Sequence, residues 1–394
     1  MKYWRGYLVA AILGAITWGV TMLAKKFTTL VDMVYPYLTR TVQNFLADWS
    51  GGVSFCVWQV ALVLVVVMAL ATLVLMIVLR WNFVQWLGWA LSGVMLVYLL
   101  HTGLYGLNYY AGPLADDVRL TVSECTMEER QDSVVFYRDK ANALADQLPR
   151  DNDGNLQYSD FSTLAEQAAE GFKVLTYEQC YPVFAGSTVP VKELGWADMY
   201  SSMGITGITI GITGEAAVNP QIPAVSLPFT MCHEMAHRMS ITIERDANFA
   251  AFLACRANSS PEFQYSAYFM AYIYSLNSLS AVNTPEAATA AARIATGVNE
   301  NFAHDLRAYT KFFDDKYDET ATNLANFAND TYLKASGDEG TSSYDNVGDL
   351  LAYLYVQEVV LPAQEEDAKS TFDPYDENQV DLEGIVGALP KEAP

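Results

Sequence analysis

Basic residues are scarce in this chain, histidines scarcer, and three long stretches carry no formal charge at all. Each shortage excludes something. Lys and Arg number 23 against 45 Asp and Glu, a net charge of −22, so a nucleic acid would find no basic surface to bind. The deficit is uneven. Residues 1–114 hold six basic residues (Lys2, Arg5, Lys25, Lys26, Arg40, Arg80) and two acidic ones (Asp32, Asp48), which leaves 17 basic against 43 acidic in 115–394. The acidic part repels anionic headgroups, so contact with a lipid bilayer falls to the N-terminal third. No internal repeat is present. No small-x-small site follows Ala24, which argues against a removed signal peptide.

Charge is missing from 7–24, from the 27 residues of 53–79 and from the 23 residues of 83–105. Each stretch is about one bilayer thickness of helix, and such uncharged runs are rare in soluble cores. Three transmembrane helices are therefore expected within a membrane domain of 1–114. Three spans put the two ends of the chain on opposite sides. The basic start, Lys2 and Arg5, favours the inside, which places the large remainder outside the cell. Of five cysteines, Cys125 and Cys180 are then open to a disulfide, while Cys56, Cys232 and Cys255 read as packing residues.

Histidine occurs four times, at 101, 233, 237 and 304, and two of the four share one motif. Residues 232–237 read CHEMAH, an H-E-x-x-H. On a helix, positions i and i+4 share a face, so His233 and His237 can offer two imidazole nitrogens to one metal ion. Glu234 sits beside them, placed to take a proton from a water that the metal activates. Apolar flanks (227–232, Ile241, Ile243) make this helix, over 228–239, a buried one, and buried His and Glu need partners. A catalytic zinc needs a third protein ligand. Glu244, Asp246 and His304 are the candidates, with Asp246 alternatively orienting a histidine.

The other elements follow from periodicity. Residues 118–148 and 161–172 read as amphipathic helices, with a turn at 151–154. Residues 201–219, SSMGITGITIGITGEAAVN, alternate Ile, Thr and Gly like strands; one of them can lie beside the metal helix and pair with an extended substrate. Glu215 and Asn219 are candidates for the cleft lining. Residues 243–257 form a second helix, 261 onward is helical with an aromatic stripe (Tyr265, Tyr268, Phe269, Tyr272), and further helices fall at 285–296, 299–317, 318–333 and 344–361. The acidic tail 362–394, with four prolines, reads as disordered.

Residues 244–248 spell E-x-x-A-N. This resembles the E-x-x-A-D of HtpX-type membrane proteases and the E-x-x-A-N of ImmA/IrrE-type peptidases, and that resemblance makes Glu244 the third zinc ligand. A wider likeness covers most of the chain: GLNY at 106–109 after the third apolar run, GEA at 214–216 with Val218 and Asn219, PFT at 228–230, the H-E-x-x-H, the stretch 244–249, NDTYLK at 329–334, then Ser343 and Tyr344. Together these are similar to the bacterial membrane family called domain of unknown function 3810, with Asp246 where that family is expected to carry Glu. The resemblance implies a multi-pass protein of the bacterial cell membrane that is zinc-metallopeptidase-like, of gluzincin type, with no defined substrate.

The resulting expectation is three N-terminal transmembrane helices followed by a mainly α (α+β) zincin-like domain over 115–361, with a small sheet beside the H-E-x-x-H helix. Its function would be hydrolysis of a peptide or protein substrate. Zn2+ lowers the pKa of water to near ~7, Glu234 is the general base, and Tyr344, or else Tyr332 or Lys334, donates to the oxyanion. The alternatives are a metal-dependent hydrolase of a non-peptide substrate, or a membrane-tethered sensing or binding module that keeps the metal for structure.

Overall fold

The computed structural model describes residues 2–316, 318–336 and 347–364. Three helices are long and apolar enough to cross a membrane: α1 (Arg5–Lys26), α3 (Val57–Val78) and α4 (Phe83–Leu104). Their ends agree with the uncharged runs to within four residues. Side chains such as Leu8, Ile12, Leu64, Val65 and Val97 point outward, an arrangement a bilayer would satisfy and water would not. α1 packs against α4 through small residues. A Cβ on Gly6 would lie 2.4 Å from the Gly88 carbonyl carbon, and the Ser92 hydroxyl donates to the Gly6 carbonyl at 2.7 Å, a close approach of the kind small residues permit.

The segment between the first two runs, to which periodicity assigns no element, is a helix, α2 (Thr28–Ser50). Thr39, Gln43, Ala47 and Ser50, with Arg40 beside them, are buried, and the four recur every three to four positions. That stripe is polar and small, so hydrophobic periodicity reports the wrong face. The large apolar side chains Leu30, Met33, Leu38, Phe45 and Trp49 face outward, 58–70 % exposed.

After α4 comes the one-turn α5 (Leu114–Asp117), and then α6 (Met127–Ala145) and α7 (Phe161–Tyr177). α6 opens on a capping box between Thr126 and Glu129, and α7 on the Asp160 carboxylate accepting from Thr163 N at 2.8 Å. The strand-like stretch gives a hairpin, β2 (Gly207–Ile210) and β3 (Glu215–Val218), with β1 (Lys192–Glu193) parallel to β3 and α8 (Ala197–Ser202) between β1 and β2. The sheet order is β1-β3-β2, so β2 is an edge. Then follow α9 (Leu227–Arg238), α10 (Glu244–Ala257), α11 (Pro261–Ala281), α12 (Pro285–Ala295), α13 (Glu300–Lys316), α14 (Glu319–Ser336) and α15 (Val347–Tyr355). The protein is thus mainly helical, with one small sheet.

α10 runs through the core. Ala247, Phe249, Ala250, Ala251, Phe252, Leu253, Ala254 and Cys255 are all buried, as the apolar middle turns of the helix require. α7 crosses it at Gly171, where a Cβ would lie 1.9 Å from the Ala254 carbonyl oxygen. The aromatic stripe of α11 is core as well: Tyr265, Phe269 and Tyr272 surround Phe302 of α13. Cys125 and Cys180 are free thiols. The disulfide left open by the sequence is not formed, because Cys125 lies by Arg130 and Asp349 while Cys180 is exposed after the end of α7. Of the acidic tail, residues 362–364 are helical; the remainder lies outside the described residues.

Candidate active site

α9 carries the histidines. Pro228 at its start supplies no N–H where none is needed, and the helix is buried along its length. His233 and His237 stand one turn apart with ring centroids 4.5 Å apart and planes at 87°. Met239 ends the helix, and Ser240 reverses the chain in the left-handed conformation, φ +73°. That turn brings the Ile241 carbonyl to 2.8 Å from His237 Nδ1. A carbonyl only accepts, so Nδ1 donates to it, and Nε2 is the nitrogen left to face a metal.

The same turn delivers Glu244, in the first turn of α10. Its Oε2 lies 3.3 Å from His233 Nε2 and 3.5 Å from His237 Nε2, and the two Nε2 atoms are 3.0 Å apart. Zinc bonds of about 2.0–2.1 Å in tetrahedral geometry set ligand atoms about 3.3–3.4 Å apart, so the triangle has the size such an ion needs. Oε2 is buried with no hydrogen-bond donor, an arrangement a cation would complete. Among the described residues these three form the one group able to hold a metal.

Charge follows the same logic. Burial works against the His237 cation, but the Glu244 carboxylate outweighs it and holds the imidazole up at about 9. Burial likewise raises Glu244, and the two imidazoles more than reverse this, pulling its carboxyl well below the usual range. The donor set attracts positive charge.

Glu234 is 4 % exposed. Burial pushes its carboxyl up, only partly offset by the two histidines and Thr209. Thr209 Oγ1 of β2 lies 2.7 Å from Glu234 Oε2 and 2.9 Å from its carbonyl. β2 passes so close that a Cβ on Gly207 would sit 2.5 Å from Glu234 Oε1. The cleft around this site has a volume of about 690 Å³ and is walled by β2, α9, α11, α13 and α14, together with His101, Tyr105 and Tyr109 at the end of α4.

Several sequence candidates stand elsewhere. Asp246 accepts from Leu114 N at 3.0 Å and from Arg245 Nε at 2.9 Å; two residues beyond Glu244 on a helix, it points about 200° round the axis. His304 lies beside Gly154 and Asp305, and Cys232 is in the core near the Ala168 carbonyl. Glu215 does not line the cleft. It pairs with Lys192 at 2.7 Å and accepts from Val57 N and Trp58 N, capping α3. Asn219 is also structural, buried on Ser201 Oγ at 2.9 Å and Gln221 N at 3.0 Å. Tyr344 lies outside the described residues, as do the side chains of Tyr332 and Lys334.

Sequence reasoning missed Thr209, which only its place in the Ile/Thr/Gly alternation could have signalled. It also missed α2. Thr39 Oγ1 contacts Ser240 Oγ at 3.0 Å and Asn108 Oδ1 at 3.1 Å, and Arg40 Nε donates to the Met239 carbonyl at 3.2 Å. Both grip the turn between α9 and α10. Asn248, one turn after Glu244, faces the cleft with its buried Nδ2 unpaired.

No curated protein and no solved structure matches the chain. The family model described as Protein of unknown function (DUF3810) matches residues 32–352, from within α2 to within α15, and the chain belongs to that family.

Proposed function

We propose that this protein is a membrane-anchored zinc metallopeptidase with a zincin-like catalytic domain. The carrying observation is the triangle of His233 Nε2, His237 Nε2 and Glu244 Oε2, with a buried carboxylate and an edge strand beside it. These three residues would hold Zn2+, which when bound supplies a Lewis acid for the substrate carbonyl and lowers the pKa of water. Glu234 takes the proton of the attacking water on a carboxylate oxygen and returns it to the leaving amine. Thr209 orients that carboxylate. β2 offers main-chain groups to an extended peptide, and Asn248 Nδ2 is a donor available to the substrate. A structural four-ligand centre is disfavoured, since Cys232 and Asp246 both stand apart from the group. We place the chain in a bacterial cell membrane, crossing three times, with the catalytic domain outside.

The test uses the full-length protein, because α2 and the end of α4 form part of the site. Zinc content and cleavage of a quenched peptide library are measured for wild type, Glu244→Ala and Glu234→Gln. One zinc in wild type, loss of zinc in Glu244→Ala, and zinc retained without cleavage in Glu234→Gln are expected. Well-folded wild type that binds no zinc would overturn the reading.

A further inference from the structure

We infer that the cleft takes an extended, uncharged, apolar polypeptide segment presented at the bilayer surface, the juxtamembrane stretch of another membrane-anchored protein. This rests on the peptidase reading and adds its substrate class. The first support is the lining. Ile205, Ile208, Phe229, Met270, Tyr309 and Phe313 form the walls. Beyond the metal ligands and Glu234, its polar groups are hydroxyls, amides and the His101 imidazole, and no Lys, Arg or Asp lines it among the described residues. In a chain of net charge −22, this neutrality is local. Away from the metal-site groups, a charged side chain entering the cleft would lose water and meet no oppositely charged side chain among the described residues. A phospholipid phosphate or a C-terminal carboxylate would find no Lys or Arg among the described lining residues to hold it away from the metal. Those two absences favour an internal peptide bond over a lipid ester or a chain end. Main-chain amides of an apolar segment, by contrast, meet β2 and the side chains of Thr206, Asn326 and Asn329.

The second support is height above the bilayer. Gln43 Nε2 donates both to the carbonyl of Leu104, the last residue of α4, and to that of Gly211 in the β2–β3 turn, at 3.0 and 2.8 Å. Tyr105 packs so tightly there that a Cβ on Gly211 would lie 2.6 Å from its own. From Gly211, two residues of strand, ~7 Å, lead to Thr209, which touches Glu234 at 2.7 Å. A path of ~15 Å therefore links the general base to the span's end, about two headgroup layers.

The third support is α2. Its apolar face turns outward while its polar stripe grips the metal-site turn. A helix of that polarity, continuous with the ends of α1 and α4, lies in the plane of the bilayer surface. It fixes the cleft at the level where a neighbouring protein leaves the membrane.

The experiment places the zinc-loaded full-length protein in zwitterionic nanodiscs with single-span reporter proteins. Their short juxtamembrane segment is either apolar and uncharged or carries a central Lys or Glu, and the apolar segment is also offered as a free soluble peptide. The anchored apolar segment is expected to give kcat/KM about tenfold or more above each of the others. Cleavage of soluble and charged peptides at equal rates would overturn the inference and leave the peptidase reading standing. No cleavage of any peptide by zinc-loaded protein would overturn the peptidase reading, and this inference with it. Release of fatty acid from the nanodisc phospholipid would replace both with a lipid hydrolase.

Discussion

Replacing Thr209 with Val deletes one hydroxyl and keeps a β-branched shape that suits strand β2. The hydroxyl sits 2.7 Å from a buried carboxylate oxygen, and a hydrogen bond to a charged acceptor contributes about 1.5–3 kcal/mol. At 1.36 kcal/mol per pKa unit, its loss should move the Glu234 carboxyl by about one to two units. The direction is set by chemistry. Thr209 donates to the ionised form and holds the pKa down, against the burial that raises it, so removal raises it further. A general base works ionised. The acidic limb of the kcat/KM profile of Thr209→Val should therefore move to higher pH by about one to two units, with a plateau at high pH close to that of wild type. Thr209→Ser should restore the wild-type limb. Zinc content should not change, because Thr209 touches no ligand. The measurement is kcat/KM against pH for the three proteins at matched zinc occupancy. A limb in its original place with a lowered plateau would refute the argument, since it would mean that Thr209 matters only to the strand.

Zinc binding should itself depend on pH. The His237 imidazole is held at about 9 by Glu244, above its unfolded value of ~6.5, so the metal-free protein carries that proton at neutral pH and zinc must displace it. Apparent affinity should rise with pH toward about 9, and calorimetry in buffers of different ionisation enthalpy should detect the released proton; pH-independent binding would contradict this. Lys192→Met leaves the Glu215 carboxylate buried without its 2.7 Å partner and should destabilise the fold by about 3–5 kcal/mol, read by denaturant unfolding. Adding Glu215→Gln should recover a large part of that loss. Asn248→Ala should lower kcat more than it raises KM, if its unpaired Nδ2 meets developing charge rather than bound substrate.

The candidate metal cluster was legible because its geometry is local. Spacing of i, i+4 on one buried helix brings two imidazoles together, and a short turn returns the chain with a carboxylate. What closes the turn was not legible. Ser240 adopts φ +73° with no glycine or asparagine to announce it. α2 escaped for a related reason: it buries Thr39, Gln43, Ala47 and Ser50 and exposes its large apolar residues, the reverse of the pattern that marks a soluble helix. Glu215 and Asn219 stood as cleft candidates beside a packing role, and alternation could not separate the two: every residue of β3 is buried, and so is Asn219 just beyond it. Polar groups buried on both sides of a strand are satisfied by distant partners, Lys192 and the first turn of α3 for Glu215, that no local pattern reveals.

Ser240 also shows that the N-terminal elements do more than tether the domain. A non-glycine residue in the left-handed region costs about 1–2 kcal/mol, and the turn keeps it because Thr39 holds the Ser240 hydroxyl and Arg40 holds the Met239 carbonyl. That turn presents the Ile241 carbonyl, which fixes the ring of His237. Thr39→Val should loosen the carbonyl and lower zinc affinity about 10–100-fold, the range for partners that orient a metal-binding histidine. Ser240→Gly relaxes the backbone strain, so in the Thr39→Val background it should return a measurable part of the lost affinity. Chelator competition on the full-length single and double variants reads both effects. Wild-type affinity in Thr39→Val would show that α9 and α10 position the ligands alone, and that the membrane-proximal helix contributes nothing to the metal site.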